Sequence, residues 1–501
     1  MTFYVTTPIY YVNAAPHLGH AYTTIAADIL ARHMRQRGED VFFLTGTDEH
    51  GEPVAVAAEK LGVTPQELAD RNAERFRALA PRLDASNDFF IRTSDPRHKL
   101  RVQEILARVR DNGYVYKGTY AGWYCPRCAD FKTETEMGPD CTCAIHRIPL
   151  EHHEEDNYFF KLSAFQERLE ALYADRPDFV LPSHHFNEAR SFIGQGLQDI
   201  SLSRSKLTWG VQVPWDETQV FYVWFDALLN YVTALSFARA GEDLTDRFWP
   251  ADFHLIGKDI LKFHAVFWPA ILMAADLEPP RHLFVHGFLL MNGEKMSKSQ
   301  GNVLDPFEVI DTFGTDALRY YCFREVSFGR DGSVSRDGFD ARYEGELANE
   351  LGNLASRTIA MINRYRDGIV PPVLTEPALT ADFAGLAAGV SSLLDRAEIS
   401  QALEAIWVLV RRLNRYVEEQ APWQLAKDPA RAGELDGVLA SLAEGLRVVS
   451  VLLVPYLPAS MGILLAALGE SDAGFGAADF RESGSGAHVQ SIPPLFPKLQ
   501  A

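Results

Sequence analysis

Cysteine is nearly missing from this sequence, and the little there is sits in one place. Four of the five cysteines fall between residues 125 and 143. So few thiols exclude a disulfide-stapled scaffold, and their clustering points to a metal site instead. Basic residues are scarce as well: 48 Lys and Arg stand against 67 Asp and Glu, a net charge of −19. That excludes a general nucleic-acid coat, which would be basic, and leaves RNA contact to local basic patches. Runs of about 18 apolar residues are absent, so no membrane-spanning segment is expected. The opening Met1-Thr2-Phe3-Tyr4-Val5 has neither the basic nor the apolar region of a signal peptide, so a cytoplasmic protein is expected. Internal repeats are also lacking.

What is present is ordinary globular chemistry, 47% hydrophobic and 23% charged, in 501 residues, too many for one core. Residues 2–12 are β-branched and aromatic and read as a buried strand. Leu18 to Arg37 carries Ile25, Ile29, Leu30 and Met34 at helical spacing, with Gly38 as a stop. Residues 40–47 read as a second strand, with Asp48 just past its end. Strand, helix and strand at this spacing make a βαβ unit, hence a parallel Rossmann-type sheet whose ligands bind at the C-terminal strand ends. The pattern places residues 1–115 in the first half of this α/β domain. Residues 116–212 read as a connective insertion, and 213–287 as the second half, with strands at 253–257 and 282–290 and a helix over 258–275. Residues 288–344 form a loop and stem-contact region. Residues 345–501 form an all-α C-terminal bundle, because Leu and Ala recur there at helical spacing.

Three motifs carry chemistry. His17-Leu18-Gly19-His20 starts a helix after a strand, where unpaired backbone N–H groups and the helix dipole favour phosphate. Gly19 lets a nucleotide approach the backbone closely. Alone, these four residues read equally well as two capping histidines. Lys295-Met296-Ser297-Lys298-Ser299 offers two ammonium groups three residues apart in a loop of small residues. Read alone it is a solvated basic loop; together with the histidines it is a two-part grip on ATP. The third motif is Cys125-x-x-Cys128 with Cys143-x-x-His146, three thiolates and one imidazole at the spacing of a closed, structural Zn²⁺ site. Cys141 competes with Cys143 but lacks the two-residue spacer.

With these motifs the chain resembles the class I aminoacyl-tRNA synthetases, and within them the methionyl-tRNA synthetase family. Residues 6–12, Gly46-Thr47-Asp48-Glu49-His50-Gly51, Tyr222-Val223-Trp224-Phe225-Asp226-Ala227, Gly257-Lys258-Asp259-Ile260, Phe263-His264 and the lysine loop carry the resemblance. It implies ATP-dependent activation of L-methionine to an adenylate and transfer to tRNA(Met), the initiator included, with Mg²⁺ beside the β- and γ-phosphates. His17, His20, Lys295 and Lys298 are the implied catalytic groups. Gly19 and Asp259 join them in binding ATP, Asp259 through the ribose; read alone, Asp259 is equally an N-cap. Ile9, Tyr11, Asp48, Trp224, Ala227, Leu228, Tyr231 and His264 are the implied methionine site, with Asp48 on the ammonium. Sulfur packs well beside such rings; the helical spacing of Trp224, Ala227, Leu228 and Tyr231 would also suit a core stripe. Arg204 resembles an arginine that orders the lysine loop. Asn349, Asn353, Arg357 and Trp423 match positions that read the anticodon, where stacking and base-edge hydrogen bonds are the expected means.

Within the class, enzymes for leucine, isoleucine or valine usually carry a large editing insertion, for which 116–212 is too short, and a zinc thiolate that selects cysteine would need ligands near the pocket rather than in one inserted knuckle. A non-catalytic tRNA-binding relative would have damaged ATP motifs, and both are intact. A small nucleotidyltransferase would lack the bundle. A monomer with no membrane association is expected.

Overall fold

In the computed structural model, which describes residues 1–13, 15–126, 130–132, 137–145, 147–291, 294–295 and 306–498, the β-branched and aromatic runs assemble a six-stranded parallel sheet. Its first half is β1 (Thr2–Tyr11), helix α1 (Leu18–Gln36), β2 (Asp40–Asp48) and β3 (Phe89–Arg92). Across the sheet the order is β3, β2, β1, then Phe253–Gly257, His282–His286 and Val180–Leu181. The chain winds outward from β1 in one direction and from Phe253–Gly257 in the other. The boundary between those two neighbours is therefore the topological switch point, where ligands of such sheets bind.

The register of β1 against β2 breaks between Thr6 and Ile9. Pro8 lies in that break; having no N–H, it cannot continue the ladder. Beyond it, Ile9, Tyr10 and Tyr11 pair again with Gly46, Thr47 and Asp48. The bulge thus re-aims the last turn of the strand at the switch point.

The segment 116–212 departs from the expected insertion in one respect. Most of it does form a separate sheet, built on the long antiparallel pair β4 (Val115–Cys125) and Glu151–Phe160. Val180–Leu181, however, pairs in parallel with Leu283–Phe284 and closes the edge of the main sheet. The single helix expected over 258–275 is three pieces: a 3₁₀ turn at Lys258–Ile260, a π turn at Phe263–Phe267 and an α-helix at Trp268–Ala274. Such π turns collect at functional sites, and this one carries His264.

The C-terminal region is helical as expected, with Asn353–Arg366, Ile399–Gln420, Ala432–Leu453 and Pro458–Ala467 as its main members. Its apolar interior is not separate from the sheet domain. Ile25 and Ile29 of α1 share one core with Leu318, Trp407 and Leu446. The other face of the sheet packs Tyr4, Phe42, Leu44 and Ile256 against Phe225 and Trp268. The apolar stretch Pro377–Leu394 is long enough by composition to cross a membrane, but Gly385, at φ 74°, breaks it into Pro377–Phe383 and Leu386–Leu394.

A buried ion pair ties α1 to the bundle. Asp28, in the middle of α1, meets the Arg319 guanidinium at 2.7 Å, and both are fully buried. Arg319 also donates to the carbonyls of Leu83, Pro455 and Tyr456. The helix that begins after His17 is therefore anchored to the turn between two bundle helices.

Candidate active site

His17 and His20 sit at the C-terminal end of β1, at the head of α1. Their rings lie 3.8 Å apart. His17 accepts the Gly19 N–H on Nδ1 at 3.1 Å, and His20 Nδ1 accepts the His17 N–H at 3.0 Å. This is a capping box made of imidazoles. Because both Nδ1 atoms accept, each neutral ring carries its proton on Nε2. The capping reading and the phosphate reading are thus compatible. Gly19 is required by the first: a Cβ there would stand 2.9 Å from the His17 ring.

Asp259 is exposed just past Phe253–Gly257, the strand beside β1. It lies inside the 3₁₀ turn, so the N-cap reading does not hold; the cap position is Gly257. Lys295 is in a short strand, Glu294–Lys295, paired antiparallel with Leu289–Met291. Lys298 lies outside the described residues. One contact at this end of the sheet was missed from the sequence. His286, at the end of its strand, donates from Nδ1 to the Gly287 carbonyl at 2.9 Å and accepts on Nε2 from the Thr23 hydroxyl at 2.7 Å. It joins α1 to the second half of the sheet.

The eight residues assigned to methionine converge. Ile9, Tyr11, Asp48, Trp224, Ala227, Leu228, Tyr231 and His264 line one cavity of about 80 Å³, with Pro8 and Ile260. They come from β1, β2, the helices Val223–Leu228 and Asn230–Thr233, and the π turn. Trp224 is held flat on Phe263, rings 3.8 Å apart and 5° from parallel. Tyr231 O–H donates to His264 Nε2 at 2.8 Å, and His264 Nδ1 donates to the Ile260 carbonyl at 3.1 Å. Burial pulls the His264 pKa down to about 4, against the Ile260 bond, so the ring is neutral. The walls therefore carry no charge for an ionic side chain.

Asp48 is the exception. It is 3% exposed, and its Oδ1 has no hydrogen-bond partner among the described residues. Burial, then the charge of Asp226, pushes its pKa well above the ordinary value. A buried carboxylate with one vacant oxygen in the wall of an otherwise apolar cavity is suited to a cation with an apolar tail.

Of the proposed metal ligands, Cys125 and Cys143 are both buried, in one small cluster with Leu150. Cys141 is exposed, which favours Cys143 over it. Cys128 and His146 lie outside the described residues. Among the described residues no three His, Cys, Asp or Glu are grouped to hold a metal.

Arg204 is buried and its guanidinium lies over the Tyr222 ring at 4.1 Å. Asn349 and Asn353 are exposed on successive turns, Asn349 in the π-helical segment Tyr343–Gly352 and Asn353 at the head of the next helix. Arg357 follows one turn on, and its guanidinium stands 5.6 Å from the Trp423 ring. Trp423 is half-buried in the short helix after Ala421, whose φ of 43° breaks the chain direction. The sequence thus brings two residues 66 positions apart into one surface patch.

Residues 3–147 and 137–359 match the family described as "tRNA synthetases class I (M)". The methionine–tRNA ligase of Streptomyces coelicolor is 46% identical, covering 99% of this chain and 97% of its own. That of Rhizobium meliloti is 46% identical, covering 100% and 98%. Among solved structures, Mycobacterium tuberculosis methionyl-tRNA synthetase in complex with methionyl-adenylate superposes with a TM-score of 0.95 at 43% identity, over 99% of both chains. Its apo form gives 0.88 at 40% identity, over 100% of this chain and 98% of that one.

Proposed function

The chain belongs to the class I tRNA synthetases, as a methionine–tRNA ligase, and from that premise we propose which of its residues carry each step. The reaction joins L-methionine to tRNA through a methionyl-adenylate, with release of pyrophosphate and then AMP. The observation that carries the assignment is the cavity: ten residues, apolar walls and one buried carboxylate with a vacant oxygen.

Asp48 takes the substrate ammonium, and the thioether lies among Trp224, Tyr231 and His264. A neutral wall rejects charged side chains because they would find no partner there. So anchored, the methionine carboxylate faces the switch point and attacks the α-phosphorus of ATP; the bond to the bridging oxygen breaks and pyrophosphate leaves. No covalent enzyme intermediate is required. The chain's contribution is positioning and charge stabilisation. His17 and His20 donate from Nε2 to phosphate oxygens, Gly19 gives room, Asp259 holds the ribose, and Lys295 and Lys298 compensate charge on the leaving pyrophosphate. Mg²⁺ would supply further compensation on the β- and γ-phosphates. The tRNA 3′ hydroxyl then attacks the methionyl carbonyl, and AMP leaves.

Zn²⁺ fits the donor set Cys125, Cys128, Cys143 and His146, since the two described thiols are buried together at the tip of the second sheet. Such a closed site is structural. We further assign the protein to the cytoplasm, as a monomer.

Asn349, Asn353, Arg357 and Trp423 read the anticodon of tRNA(Met), with Trp423 as the stacking face. Trp423→Ala is expected to leave methionine-dependent exchange of pyrophosphate into ATP unchanged. It should lower kcat/KM for tRNA charging by about tenfold or more, the loss of one base stack. An unchanged charging rate would remove Trp423 from the anticodon site.

A further inference from the structure

Besides Asp48, the carboxylates of Glu49 and Asp226 are buried near the methionine cavity. Asp226 is 1% exposed, on the same short helix as Trp224, Ala227 and Leu228. Unlike Asp48 it is saturated. His50 Nδ1 meets its Oδ2 at 2.5 Å, and His98 Nε2 meets its Oδ1 at 2.8 Å. His98 is fixed in turn by the Thr233 hydroxyl at 2.7 Å on its other nitrogen. His50 comes from the loop after β2, two residues past Asp48; His98 comes from the helix Pro96–Asp111. Both imidazoles are buried.

We propose that His50 and His98 are positioning residues for methionine: by donating one N–H to each oxygen of Asp226 they screen that carboxylate and leave Asp48 as the sole acceptor for the substrate ammonium. The inference rests on Asp48 being the ammonium site. It explains why an acid sits so near the pocket without competing for the ligand. Against the penalty of burial, which raises it, the His50 charge and the bonds from His50 and His98 hold the Asp226 pKa at about 2.

The other groups facing this pair are accounted for. Glu49, beside Asp48, is bound by Arg92 at 2.7 and 2.8 Å, and Arg92 also pairs with Asp70. Lys99 lies within the field of both Asp226 and Glu49, over the Trp209 ring. Tyr11 and Tyr231, which face Asp48, are neutral phenols whose pKa burial raises. Tyr124 faces Tyr11.

The test is the dissociation constant of L-methionine between pH 5 and 8, followed by intrinsic fluorescence. Binding weakens in acid as Asp48 takes up a proton. His98→Ala leaves Asp226 less screened, so the acid limb should move up by about one pH unit. His98→Gln, which restores an amide donor, should return it to the wild-type position. Asp226→Asn removes the neighbouring charge and should move the limb down. Should Asp226→Asn fail to fold, the two His98 variants decide alone. Weaker binding by the same factor at every pH, with no displacement of the limb, would mean that the imidazoles only pack, and would overturn the proposal. Asp48→Asn separates the two claims: it should abolish the limb. If it keeps both limb and affinity, the ammonium assignment itself falls.

Discussion

Asp48→Asn is expected to weaken methionine binding by about a hundredfold or more while leaving the fold as stable as before. The first half follows from the vacancy at Oδ1. An ammonium placed there gains a charge-assisted bond in a nearly dry site, and neutralising one partner of such a pair costs about 2–5 kcal/mol. The second half follows from the same vacancy. In the free protein this carboxylate is buried against its own desolvation and against Asp226, which is why its pKa is raised. An amide has no charge to desolvate. Asp48 is thus a place where stability yields to function. The readout is KM for methionine in pyrophosphate exchange against KM for ATP, with a urea unfolding curve beside it. A large KM effect accompanied by a large loss of stability would mean that Asp48 is a structural residue.

The other large effect lies far from the pocket. Arg319→Met is expected to cost about 3–5 kcal/mol of stability, because it leaves Asp28 buried with less compensation and strips three carbonyls of their donor. The Asp28→Asn/Arg319→Met double variant should cost less than Arg319→Met alone, since it removes the stranded charge. The pH dependence has a definite sign. Burial raises the Asp28 pKa, but Arg319, Arg32 and Ser86 overcome it, and the net shift is downward. A depressed carboxylate pKa gives stability that is complete above the unfolded value of about 3.9 and lost as pH falls through the folded one. The gap between wild type and Arg319→Met should therefore narrow below about pH 4. A gap that stays constant to lower pH would show that the carbonyl contacts, not the ion pair, hold α1 to the bundle.

Residues that carry local chemistry were legible in the sequence; residues that act through distant partners were not. The first βαβ unit was readable because its strands are β-branched and aromatic and α1 shows one apolar stripe ended by Gly38. The cavity residues were reached through resemblance, not periodicity: Trp224, Ala227 and Leu228 share a helix, but Tyr231 belongs to the next one and His264 to a π turn. No spacing rule anticipates a π turn. Val180–Leu181 is too short for any period to show. Pro8 and Ile260 lie inside motifs that carry the resemblance, yet nothing in a linear pattern says that they face the same space. His98 is the clearest case: it sits in Pro96-Arg97-His98-Lys99, a stretch with no signature, and its meaning comes only from Asp226, 128 residues away.

On this reading the cavity selects methionine for adenylation. Amino-acid-dependent exchange of labelled pyrophosphate into ATP, run with each of the twenty amino acids in turn, tests it most directly. The geometry predicts exchange with methionine, at most a trace with other flexible apolar side chains, and none with charged ones. Exchange driven best by a different amino acid, or by none, would contradict it.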